Sequence, residues 1–512
     1  NVTVIAQLDR YSGGFAGGGN WTSTRRYLVT QDSNVDQIGS TLLEDLGELD
    51  MGKKQTLIDF ATWAIQSYPA EKYVLILSDH GAGWLGGWSD DRPSRGSSLR
   101  LQDIDEALAK ILVNTGIGQF ELVGFDACLM GQLEVASAIA PHARYAVFSE
   151  ETEPALGWAY AEFLRGLNAN PAMSGKQLGQ EIVVSYVAQD TRVTDPAARR
   201  AFLEAMGADP RLSAREVADG LSGNITLSAI DLAAVRDLNA ALNLLVEALL
   251  GADQRSVAAA RSYAQDYTSV FGRDVPPSYI DLGHFASLLE DRTRDSAVSA
   301  AVRQLQAALQ RTVVAEKHGQ QKPGSSGLTL YFPNSNLYSA TAGRTAQARY
   351  TLYAGRFATA SIWDDYLAYY YTGKALDPAA FDLTVLDPLK SEETNFQEAA
   401  ENSAPEPGAV IVAPGAGQIA ITPIQVSAAE IGPDDYVTLE TTVTGSNVGY
   451  IYYYVSWYSE EDNSYLTADM GYIASEDTRE IDGVYYPDWG TESTIPIEID
   501  WEPTLYLSLI HI

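Results

Sequence analysis

The chain has 512 residues, 46% hydrophobic and 10% aromatic, which excludes a disordered or collagen-like polymer and suggests roughly three domains, or one large and one small. Lys and Arg number 34 against 67 Asp and Glu, a net charge of −33, so nucleic acid and anionic membranes are poor partners. One cysteine, Cys128, and five histidines leave no disulfide framework within the chain and no structural zinc cluster.

No apolar run is long enough to span a bilayer. The chain opens at Asn1, enters a strand at once and stops abruptly at Ile512. Both ends read as cut, so a targeting segment is expected outside them. The first part alternates strand and helix signals. Residues 2–8 read as a buried strand, and a Gly-rich loop follows from Gly13 to Gly19. A short strand is predicted at 27–31. Leu57, Phe60, Ala61 and Ala64 recur at helical spacing within 53–67. An apolar strand at 73–78 ends at Asp79-His80-Gly81, and a helix follows at 102–113. The next strand, at 120–125, leads into a helix at 129–140 that Pro141 stops, and then a strand at 144–148. Repeated β-α-β units imply an α/β fold, a mostly parallel sheet with helices on both faces.

Residues 159–372 are helix-rich, with helical patterns at 231–250, 253–267 and 296–310 and strands at 224–230 and 326–333. A linker is predicted at 373–410, around the Pro- and Glu-rich segment 401–408. Beyond it, 411–512 alternates in strand fashion and reads as a small all-β, sandwich-like module.

Two segments carry chemistry. Ser78-Asp79-His80-Gly81-Ala82-Gly83-Trp84 and Gly124-Phe125-Asp126-Ala127-Cys128-Leu129-Met130 each follow an apolar strand. In a parallel sheet both strand ends open on one edge, where sites of such sheets lie. His80 and Cys128 can then face each other. A thiolate attacks a carbonyl, and a helix starting just after Cys128 would lower the thiol pKa. An imidazole can take the thiol proton and protonate a leaving amine. The N–H groups of Gly81 and Cys128 can hold an oxyanion. The bland readings are a small buried hydrophobe for Cys128 and a loop residue for His80. Matching positions at two strand ends favour catalysis. Gly81-Ala-Gly83-Trp-Leu-Gly86 also fits a dinucleotide fingerprint, but a loop through Gly96 follows where a helix must open.

Leu49-Asp50-Met51-Gly52, the segments 73–84 and 125–130, Ser149-Glu-Glu-Thr-Glu-Pro154 with Gly157-Trp158, Tyr279-Ile-Asp-Leu282 and Gly327-Leu-Thr-Leu-Tyr-Phe-Pro333 resemble, in order, the clostripain family of cysteine peptidases. The resemblance covers about 1–372 and implies a caspase-like fold, shared with gingipains and legumains. The His-to-Cys interval also fits the interval of about 50 residues in caspases. It implies His80 and Cys128 as a catalytic dyad and Gly81 as an oxyanion contributor. It implies substrate contacts from Asp126, Ser149, Glu150 and the position of Leu156, with Arg or Lys before the scissile bond. Relatives of basic specificity carry Asp where this chain has Leu156, so one pocket carboxylate is expected to be lost, with Glu150, Glu151 or Glu153 as substitutes. An N-terminal strand before residue 2 is expected to be missing, and the β module to be truncated. Self-cleavage is expected after Arg95. No cofactor is required, and calcium, which some relatives need, is kept open without an EF-hand spacing.

The reading is thus a secreted or surface-associated bacterial cysteine endopeptidase acting on proteins or peptides, with a β module for docking to a surface or protein. A non-catalytic binding or adhesion protein on the same scaffold is the alternative, and a transferase or ligase working through the same acyl-enzyme is a third.

Overall fold

A computed structural model describes residues 2–10, 21–31, 38–90, 97–272, 275–342, 346, 348–378, 419–428, 436–445, 448, 451–459, 464–473, 477–481, 484–490 and 492–500. Strands β1 (Ile5–Leu8), β2 (Arg25–Leu28) and β3 (Thr41–Asp45) pair antiparallel in that order. The strand expected at 2–8 is thus half-buried and outside the parallel sheet. Among the described residues no helix lies between β1 and β2, and a parallel return needs a crossover. The small sheet is fastened by stacked cations. Arg10 and Arg25 lie over the Trp21 ring, and Arg26 lies 4.2 Å from the Trp63 ring on the helix Lys54–Ser67.

The main sheet begins at β4 (Val74–Ser78). A two-stranded ribbon follows, β5 (Gly87–Asp90) with β6 (Ser97–Leu99). Then come β7 (Phe120–Asp126), β8 (Ala143–Phe148), β9 (Thr226–Asp231), β10 (Tyr279–Asp281), β11 (Val313–His318) and β12 (Thr329–Tyr331). Five of these form one sheet in the order β11-β9-β8-β7-β4, and β10 pairs with β12 apart from it. The pairs β4–β7 and β7–β8 are parallel, while β8–β9 and β9–β11 are antiparallel. The parallel part has its crossover helices, Leu101–Thr115 before β7 and Leu133–Ile139 before β8.

Every residue of β7 is buried, as a central strand covered on both faces requires. Side chains alternate between two cores. Val123, Phe125, Ala146 and Phe148 join one, with the helices Leu101–Thr115, Leu133–Ile139, Val235–Leu249 and Ser296–Thr312. Leu122, Val147 and Ala229 join the other, with the helices Tyr160–Ala169 and Gly175–Ser185. A buried ion cluster ties the larger core together. Arg356 grips Asp105 with two bonds of 2.8 Å, and His142 Nε2 lies 2.6 Å from Asp105 Oδ1.

The C-terminal strands β13 (Ile419–Ile421), β14 (Gln425–Val426), β15 (Tyr436–Gly445), β16 (Ile451–Ser459), β17 (Ser464–Ile473), β18 (Asp477–Ile481), β19 (Val484–Asp488) and β20 (Glu492–Asp500) are all paired antiparallel. β15 pairs with β13, β14 and β20, while β16–β17 and β18–β19 are hairpins. Val437, Leu439, Val443 and Ile495 form the buried side of β15 and β20. Most of the segment read as a linker, 379–410, lies outside the described residues, as does the Gly13–Gly19 loop. Among the described residues no helix is long and apolar enough to cross a membrane.

Candidate active site

The register of β4 on β7 sets the site. Ser78 pairs with Asp126, the last residue of each strand. His80 and Cys128 each follow two residues later, on the same edge. The two loops touch through backbone. The Asp79 N–H donates to Asp126 O at 3.3 Å. Gly81 lies so close to the Cys128 turn that a Cβ there would fall 2.3 Å from the Cys128 carbonyl oxygen, so no larger residue fits without movement. Backbone bonds brace the His80 loop: Trp88 N–H donates to His80 O at 2.9 Å, and Tyr279 O–H donates to Ala82 O at 2.8 Å. The Tyr279 to Leu282 segment singled out in the sequence thus serves the His80 loop from β10. His80 itself is exposed and Cys128 is half-buried.

The helix after Cys128 starts later than the sequence suggests. Its first residue is Leu133, not residue 129. Leu129 takes φ 64°, a left-handed conformation that costs a branched L-residue about 1–2 kcal/mol. Two bonds hold it there: Leu129 N–H to Glu151 O at 3.1 Å, and Gly131 N–H to Ser149 O at 2.6 Å. Cys128 therefore lies beyond the first turn, where the helix dipole has faded. Burial pushes the Cys128 thiol up from its ordinary range. The Glu153 N–H, 3.3 Å from Sγ, opposes that rise, while the Glu151 and Asp126 carboxylates add to it. The expected lowering by a helix is thus overturned. A thiol raised in this way needs a neighbouring base to become the reactive thiolate.

Asp126 is buried two residues before Cys128. Tyr160 O–H donates to its Oδ2 at 2.8 Å, and Ser78 O–H at 3.3 Å. Glu153 joins it from the next strand-end loop, accepting from Trp158 Nε1–H at 3.2 Å. Burial, and then the Asp126 charge, push the Glu153 carboxyl well above the usual carboxylate range. Ser149 is fully buried, its hydroxyl bonded to Glu151 O and Thr226 O. Glu150 is buried beside Asp281. Burial, and then the Asp281 charge, push the Glu150 carboxyl well above the usual carboxylate range; burial raises Asp281 too, opposed by the His284 N–H and Ser326 N–H that it accepts from at 2.6 Å. Leu156 is 3% exposed and packs in the second core with Trp158 and Phe163. Of the residues read from the sequence, then, Gly81, Asp126 and Cys128 cluster with the His80 loop, while Ser149, Glu150 and Leu156 face the interior. Arg95 lies outside the described residues. Tyr160 and Gln132 had no signal in the sequence, because each meets its partner only through the fold.

Among the described residues Asp9, Glu48 and Asp90 bring carboxylate oxygens within 4.8 Å of one another. Calcium takes six to eight oxygens, and two of these groups already serve others: Asp9 accepts from Thr24 O–H, and Asp90 from Met51 N–H. The trio does not by itself make up a calcium site.

Residues 1–370 match the model of the clostripain family. Clostripain of Hathewaya histolytica is 28% identical over 163 residues, a stretch that spans 28% of this chain and 30% of clostripain. A secreted cysteine protease of Bacteroides thetaiotaomicron, solved with an irreversible peptide inhibitor, aligns at TM-score 0.46 and 16% identity over 69% of this chain and 88% of its own. An inactive zymogen protease of Parabacteroides distasonis aligns at TM-score 0.40 and 18% identity, covering 61% and 78%. On the family match over 1–370, this chain belongs to the clostripain family of cysteine-type peptidases.

Proposed function

We propose that the protein is a cysteine endopeptidase using Cys128 and His80, with Arg or Lys preferred before the scissile bond. The observation that carries this reading is the pairing of Ser78 with Asp126, which leaves both side chains two residues past one sheet edge. His80 takes the thiol proton, and Sγ attacks the substrate carbonyl carbon. The oxygen gains the negative charge and is held by the N–H groups of Gly81 and Cys128. The imidazolium then protonates the departing amine, the C–N bond breaks, and a thioester remains. Water loses a proton to His80, attacks the thioester and releases the acid. The proton returns to Sγ. Each role falls to a group of the chain itself, and no cofactor takes part.

Asp126 would pair with the cationic side chain of the substrate, a charge-assisted contact. The reading includes secretion or attachment at a bacterial surface, which the resemblance to clostripain implies, with the β strands beyond 411 serving for docking. The test is a peptide panel with Arg, Lys, Ala, Leu or Asp before a reporter. Cleavage after Arg or Lys that falls by about 10³-fold or more in Cys128→Ala is the expected result. Turnover unaffected by Cys128→Ala in folded protein would sink the reading.

A further inference from the structure

Gln132 is fully buried at the start of the helix Leu133–Ile139. A residue in this cap position commonly satisfies the helix's own free N–H groups with its side chain. Gln132 makes no such cap bond. Its Oε1 reaches instead to the other loop and accepts from the Trp84 N–H at 2.8 Å. The His80 loop is shaped around that amide. Gly83 stands at φ 65°, and a Cβ on it would fall 2.3 Å from Gln132 Nε2. Just beyond, the Trp84 ring is wholly buried, with the Tyr331 and Tyr350 rings each 5.2 Å from it. The main chain of Gln132 is fixed as well: it bridges to Thr329, whose N–H donates to Gly131 O at 2.8 Å.

We propose that Gln132 is a positioning residue that locks the His80 loop to the Cys128 turn. The proposal rests on the reading of His80 and Cys128 as the catalytic pair. One side chain, four residues after the nucleophile, bonds to the backbone four residues after the imidazole. Tyr279 holds the same loop at Ala82, so the loop has one anchor on β10 and one on the nucleophile's own segment. The Gln132 anchor ties the segment after Cys128 to the loop after His80 by a side chain, beside the backbone bond from Asp79 to Asp126. Losing it lets the imidazole drift relative to Sγ while the substrate-binding groups stay in place.

The test uses Gln132→Met, which keeps length and loses the acceptor, and Gln132→Glu, which keeps the acceptor. Gly83→Ala perturbs the same contact from the loop side. Turnover of an Arg peptide is measured with the pH profile of Cys128 alkylation by iodoacetamide, beside His80→Ala. Gln132→Met should lower kcat about 100-fold with KM within about twofold, the effect of misplacing a catalytic group by about 1 Å. Its alkylation profile should move to that of His80→Ala. Gln132→Glu should stay within about tenfold of wild type. Wild-type kcat in Gln132→Met overturns the proposal, as do equal losses in both variants with an unmoved alkylation profile. Identical profiles for wild type and His80→Ala overturn it too. If Gln132→Met does not fold, Gly83→Ala decides by the same readouts. Absence of Cys128-dependent turnover in wild type would defeat the peptidase reading alone. The alkylation profile then still decides, supporting the lock if Gln132→Met follows His80→Ala and refuting it if it follows wild type.

Discussion

Asp105 and Asp126 are both buried, yet their neighbours differ in kind. Asp105 meets Arg356 in a two-bond grip and His142 on the same oxygen. Asp126 meets the hydroxyls of Tyr160 and Ser78 and a second acid, Glu153. The first set carries its countercharge within the fold, and the second leaves a place for one. A paired buried charge holds elements together; an acid pair without a cation stores an unfavourable arrangement that a cationic ligand relieves. Glu134 belongs with the second kind. Its Oε1 accepts from Tyr331 N–H and Tyr350 O–H, and burial pushes its carboxyl up to about 7.

Breaking the balanced set should have the largest effect. Arg356→Leu leaves Asp105 buried without its strongest partner and should cost about 3–5 kcal/mol, read as a lower urea midpoint. Asp105→Leu combined with Arg356→Leu should cost less than the single change, since no lone charge remains. A double variant less stable than the single one would mean that the cluster is worth more than its charges. Glu134 acts through pH. Its folded pKa is raised above the unfolded value, so the folded state binds the extra proton. Stability is therefore lost as pH rises from about 4.5 through about 7, in total roughly 3 kcal/mol. Glu134→Gln keeps an oxygen for Tyr331 and Tyr350 and should flatten that slope. An unchanged slope in thermal melts between pH 5 and pH 8 would remove Glu134 from the comparison.

The unpaired site is more legible in the sequence than the paired scaffold. The apolar runs that become β4 and β7 stop at Asp79-His80-Gly81 and at Asp126-Ala127-Cys128, so the two loops stand out locally. Asp105 bonds to His142 across 37 residues and to Arg356 across 251, and no spacing rule reaches that far. The helix start is misplaced in the sequence because Leu129 is a good helix former. Only the carbonyls of Ser149 and Glu151, delivered by the end of β8, hold it out of the helix. β9 reads like any buried strand, and its antiparallel direction depends on the helices packed between residues 160 and 222.

The acid pair itself gives the smallest and most discriminating effect. Asp126→Asn removes one charge, but it also removes one cause of the raised Glu153 carboxyl. Glu153 then ionises more readily and replaces part of the lost charge. The proposed preference for Arg over Ala, taken as a ratio of kcat/KM, should fall only about tenfold, or about 1.4 kcal/mol. Glu153→Gln should cost less, because burial and the Asp126 charge already disfavour a charge on that carboxyl and its N–H to Sγ remains. Asp126→Asn with Glu153→Gln should cost more than the two singles together, the mark of two coupled groups. Strictly additive losses would mean that the carboxyls act apart. A single Asp126→Asn that abolishes the preference would make Glu153 a bystander, and the contrast with Asp105 would then rest on one charge, not on a pair.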